Sequence, residues 1–98
     1  MIEVSIDQIQ AAVEGQHGCK ASNPRPERVT ESFQGKTVWD GVVHVFEVDH
    51  PNVSTCYAWS SPVEGSDRRR FYAVLGIPPV NSAKDAVRAA IVSEHRSK

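Results

Sequence analysis

The sequence predicts an α+β domain: an antiparallel meander of three to four strands with an N-terminal and a C-terminal helix packed on one face, in the order α-β-β-β-β-α. Three observations carry this. Helix-start signatures stand near both ends, Ser5 with Gln8 and Ser82 with Asp85. Between them, runs of β-branched and aromatic residues alternate with Gly, Pro, Asn and Asp. The chain has 98 residues, room for a single domain over 1–98.

The first helix is expected over about 6–14, with Ser5 as cap and Val4 and Ile9 as a hydrophobic staple. Its stripe is Ile6, Ile9 and Val13, and Gly15 is available to end it. Residues 16–28 lack periodicity and carry Pro24 and Pro26, so they read as a surface connection. Strands then follow at Val29–Gln34, Thr37–Asp49, Ser54–Ser61 and Arg69–Gly76, with a bulge expected at Asp40–Gly41. Pro78-Pro79 stops the sheet, and a helix runs from the Ser82 cap to about Glu94 with Ala83, Ala86, Val87, Ala90 and Ile91 inward.

Strand parity suggests where function would sit. If His50 to Val53 close the central hairpin, Phe46 faces Tyr57 and His44 faces Trp59 on one surface, which Phe71 joins from the last strand. The other surface, with Val45, Ala58 and Cys56, is small in side chain and suits two docked helices. Two short helices cover one face, and the aromatic face then needs a cover of its own.

Net charge is −1, which argues against nucleic acid as partner, since phosphate binders carry a basic excess. Met1 to Ser5 has neither the basic nor the apolar region of a signal peptide, and no stretch is long enough to span a membrane. A cytoplasmic location with Cys19 and Cys56 reduced is the expectation.

No constellation forms a catalytic motif. His17, Cys19, His50 and Cys56 are fragments of a zinc ligand set, without the paired spacing such sites use, so no metal is expected. Cys56 lacks an activating base and reads as a core thiol. The glycines form no phosphate-binding loop, and nothing calls for a cofactor. Arg68, Arg69 and Arg70 at a hairpin tip are the candidate anion contacts, against the plainer reading of a solvated turn that blunts a sheet edge.

The run Trp39-Asp40-Gly41-Val42-Val43-His44-Val45-Phe46, with His50-Pro51, Cys56-Tyr57-Ala58-Trp59, Ala73-Val74-Leu75 and Asp85 to Ile91, resembles small uncharacterised bacterial proteins of the integron gene cassette type. That resemblance covers about residues 36–92 and implies a bacterial, cytoplasmic protein, with a dimer as one expectation and without an agreed activity. The order helix, strands, helix is also similar to the double-stranded-RNA-binding domain, with Ser82 to Ala90 set against the start of its last helix. Only Lys84 stands where that family has a lysine cluster, with Asp85 beside it.

The leading expectation is a non-enzymatic interaction module that forms a homodimer through His44, Phe46, Tyr57, Trp59 and Phe71. The contrasting class is a small-molecule-binding domain or enzyme with Trp39, Tyr57 and Trp59 around a pocket. A third is nucleic-acid binding through Lys84, Arg88 and Arg68 to Arg70.

Overall fold

The computed structural model describes residues 5–63 and 65–96, the side chains of positions 33 and 94–96 excepted. The elements follow the expected order: α1 (Ile6–His17), β1 (Ala21–Phe33), β2 (Lys36–Val48), β3 (Thr55–Pro62), β4 (Arg69–Leu75) and α2 (Ala83–Arg96). The strands form one antiparallel sheet in sequence order, and the chain is an α+β fold.

Both helix starts are built as their sequences dictate. The Gln8 N–H donates to Ser5 Oγ at 3.3 Å, and the Ser5 N–H donates to Gln8 Oε1 at 2.9 Å, a complete capping box. At α2 the Asp85 N–H donates to Ser82 Oγ at 3.1 Å, while Asp85 Oδ2 accepts from the Asn81 N–H. The proposed staple partner Val4 lies outside the described residues. α1 passes through Gly15 and ends at Gly18, whose φ of 63° is the left-handed conformation that glycine adopts without strain. No helix among the described residues is long and apolar enough to cross a membrane.

Residues 21–28 are strand, where a surface connection was expected. β1 lies at the edge of the sheet, and Pro26 faces His44, whose backbone groups bond β3 instead. The missing Pro26 N–H therefore falls on the open side, where an edge strand needs no donor. Pro24 sits in a bulge with Asn23, opposite Phe46. That extra residue reverses the parity of β1: Ala21 packs on the α1 side, and Val29 on the α2 side. A second irregularity, at Val38, takes the place of the bulge expected at Asp40–Gly41, which pair regularly with Thr30 and Val29.

The central register is one residue from the expected one. The Asp49 N–H donates to the Lys20 carbonyl, and its Oδ1 accepts the Lys20 N–H at 2.6 Å, so Asp49 belongs to the β1 side. The hairpin is closed instead by the Val48 N–H donating to the Ser54 carbonyl. His44 then pairs with Ala58, Val45 with Tyr57 and Phe46 with Cys56. A slip of one residue exchanges faces along the whole strand.

The helices accordingly lie on opposite faces of the sheet, not on one. Ile9 and Val13 of α1 pack on Ala21, Phe46, Val48, Cys56 and Ala58, with Phe71 beside them. Ala83, Ala86 and Val87 of α2 pack on Val29, Val43, Val45, Tyr57 and Trp59. Both faces carry apolar side chains, and each is covered by the one helix it can reach. The result is three layers with two cores.

Candidate functional site: a notch between the hairpins

Paired residues of β2 and β3 end at His44 and Ala58, although β2 reaches back to Lys36 and β3 on to Pro62. The reason lies in the backbone. The carbonyls of Phe71 and Ala73 on β4 accept from Gln16 Nε2 at 3.2 Å and His17 Nε2 at 2.7 Å, so they face outward, toward α1. Their partners Ser60 and Ala58 must then turn their own backbone groups toward β2. Ala58 meets His44 there, and the next rungs would be Ser60 with Val42 and Pro62 with Asp40.

Neither rung forms a pair. Pro62 has no N–H to give. Arg69 reaches across instead, with Nε donating to Ser60 Oγ at 3.0 Å and Nη2 to the Ser60 carbonyl at 3.2 Å. The two hairpins part beyond this point and leave a notch through the sheet.

Two clefts stand back to back at the notch, sharing Trp39, Ser61 and Pro62. The one on the α2 side has a volume of about 410 Å³ and is lined by Trp39, Trp59, Tyr72 and Arg70, with Val87, Ala90 and Ile91 from the helix. Trp59 and Tyr72 stack with ring centroids 5.1 Å apart, and Trp39 meets Trp59 edge-on at 5.9 Å. Trp39 is half-buried, and its ring lies over Gly41, where a Cβ would stand 3.1 Å from the indole. Gly41 is thus the strand residue that lets the ring lie down.

The cleft on the α1 side, of about 630 Å³, is polar: His44, Ser60, Arg69 and Asp40 line it with Ile9 from α1. Hydrogen bonds from Arg28 and Thr30 hold the Asp40 carboxyl below the usual range, with Arg28 Nη2 at 2.8 Å from Oδ2. Burial pushes the His44 imidazole below its ordinary value of 6.5, so it is neutral at pH 7.

The residues expected to form one open aromatic face are divided and covered. Phe46 is 0% exposed beneath α1, while Tyr57 at 8% and Trp59 at 2% lie beneath α2. Phe71 is half-buried on the α1 side. Of that set His44 opens onto the polar cleft, Trp59 contributes one wall of the aromatic one, and Tyr57 borders a separate hollow with Arg25, Glu27 and Ser82. Of the three arginines, Arg69 stands in the notch, Arg70 borders the aromatic cleft and Arg68 is exposed. Ser60 and Tyr72 went unremarked in the sequence. Tyr72 was detectable, since it stands two places from Val74 and Arg70 in an alternating strand.

The suspected metal fragments have other work. His17 binds the β4 edge, and His50 Nδ1 accepts from the Asn52 N–H. Among the described residues, no three His, Cys, Asp or Glu side chains gather where they could hold an ion. The Cys56 thiol is pushed up to about 12 by burial and then by Cys19; the shifted register places Glu47 opposite Thr55. Cys19 is raised as well, by burial and by Asp49 and Glu14.

A raised thiol makes a pH prediction with a definite sign. The unfolded chain loses the Cys56 proton near 9 and the folded chain near 12. Its contribution to stability is therefore complete below pH ~9 and declines as pH rises through that window. Thiol titration of the native protein at pH 8 should leave Cys56 unmodified until denaturant is added, and rapid native labelling would show that the thiol is not in the core. Searches of protein-family models, curated proteins and solved structures returned no match to the chain.

Proposed function

We propose that the protein is a binding module that seats a small flat apolar molecule in the aromatic cleft between its hairpins. The observation that carries this reading is Trp39. It is a half-buried indole set edge-on to buried Trp59, which stacks on half-buried Tyr72, beside a cleft of about 410 Å³. Small-molecule sites are clefts of roughly 300–1,000 Å³ with apolar walls and few polar groups. An aromatic ligand sliding between Trp39 and the helix residues Ala90 and Ile91 would exchange water for ring contacts on two sides.

The other two expectations have less support. A homodimer on Phe46, Tyr57 and Trp59 would have to displace a helix to reach them. A nucleic-acid surface on the last helix would rely on Arg88, which is bound to Glu31.

Anilinonaphthalene sulfonate, an aromatic fluorescent probe, tests the reading. It should bind the native chain saturably and quench tryptophan emission, with the near-UV circular dichroism of the folded state retained. Trp39→Ala should weaken binding about tenfold, or ~1.4 kcal/mol, with that folded signal still present. Equal affinity in the variant, or binding only when the near-UV signal is lost, defeats the proposal.

A further inference from the structure

We propose that the polar cleft on the α1 side is a second site, for the carboxylate of an organic acid, in which Arg69 is the clamp. It rests on its own geometry and holds whether or not the aromatic cleft takes a ligand.

A guanidinium offers two edges, each with a parallel pair of N–H donors. Arg69 uses the Nε–Nη2 edge on Ser60, one bond to the hydroxyl and one to the carbonyl. The end-on edge, Nη1 with Nη2, has no partner among the described residues, and Arg69 borders the cleft. Arg28 shows what such an edge takes in this protein: its Nε and Nη2 bind both oxygens of Asp40, at 3.1 and 2.8 Å.

Among the described residues no carboxylate answers the charge of Arg69. Its partners there are neutral oxygens, and Asp40, the one described carboxylate lining the cleft, is held by Arg28 and Thr30. An arginine fixed in place by two bonds has lost its rotamer freedom before a ligand arrives, so binding costs less. Ser60 adds a donor. Its Oγ accepts from Arg69, which leaves the hydroxyl proton to point elsewhere. The charged or titratable groups on the cleft are His44 and Asp40 from β2 and Arg69 from β4, while α1 contributes apolar Ile9. Ile9 and Val42 give an organic body an apolar wall, and a planar carboxylate matches the end-on fork.

Benzoate and inorganic phosphate, titrated separately into the full ¹⁵N-labelled chain, make the test. Benzoate should shift the Arg69 Nε–H and Ser60 amide signals saturably. It should also raise the pKa of His44, because a bound anion favours the imidazolium. Arg69→Gln should lose at least tenfold in benzoate affinity, Arg69→Lys should lose a similar amount because the fork is gone, and Arg68→Gln should bind as the parent does. Near-UV circular dichroism checks that each variant is folded. Absence of saturable benzoate shifts, or an Arg69→Lys variant that binds undiminished, overturns the clamp. Phosphate binding without benzoate binding overturns the carboxylate assignment.

Discussion

Trp59→Ala is expected to remove a large share of the domain's stability at 25 °C. Trp59 is the largest fully buried side chain, 2% exposed, stacked on Tyr72 and met edge-on by Trp39. Truncating a buried tryptophan costs about 3–5 kcal/mol, the lost transfer energy together with the cavity left behind. A domain of this size has roughly 5–15 kcal/mol in total. Urea denaturation followed by far-UV circular dichroism should show the midpoint falling by about a fifth or more. The result also separates two pictures of the molecule. A tryptophan on a dimer face would give, on truncation, a stable monomer, whereas a tryptophan beneath α2 gives a destabilised chain of unchanged mass. A change below ~1 kcal/mol would remove Trp59 from the core.

What the sequence made legible was local, and what it concealed was set by tertiary partners. Ser5 with Gln8 and Ser82 with Asp85 were readable because a cap involves only residues three apart, and both formed. The first part of β1, residues 21–28, was not readable, because Pro24 and Pro26 are breakers unless the strand lies at a sheet edge, and edge position is no property of the segment. The central register failed on one residue. Asp49 looks like the end of a strand, yet it bonds Lys20, which sits ahead of β1 in the chain. Parity converts that single error into an exchange of faces, which is why Phe46 and Tyr57 were joined when they lie on opposite sides of the sheet.

The candidate site was half legible for the same reason. Arg68 to Arg70 stood out as a charge run, but nothing in the run distinguishes Arg69 from its neighbours. The distinction arises where the ladder stops: Ser60 turns its carbonyl toward β2, Pro62 brings no donor, and the strand parity of Arg69 puts its guanidinium on that side. The sequence alone does not assign Trp39 to a face, since its side depends on where the bulge falls. With the bulge at Val38 and regular pairing from Trp39 onward, Trp39 shares a face with Val43 and Val45 and so comes to lie under α2.

The pair formed by Glu31 and Arg88 should respond asymmetrically to substitution. Glu31 is 7% exposed on β1, and its Oε1 accepts from Arg88 Nε at 3.2 Å and Nη2 at 3.0 Å. Its Oε2 is buried without a hydrogen-bond partner among the described residues. The Arg88 side chain, by contrast, is 59% exposed. Arg88→Leu leaves a buried carboxylate with neither oxygen answered, at a cost of roughly 2–3 kcal/mol once the solvent screening of the arginine is allowed for. Glu31→Leu removes the buried charge and releases Arg88 into water, where it is well solvated, so the change should be close to neutral or stabilising. Adding Glu31→Leu to Arg88→Leu should then recover most of the loss. Denaturation midpoints of the two single variants and the double variant read this directly. Equal, small losses in the two single variants would mean that the bridge behaves as an ordinary surface pair, and that Glu31 is solvated rather than held beneath α2.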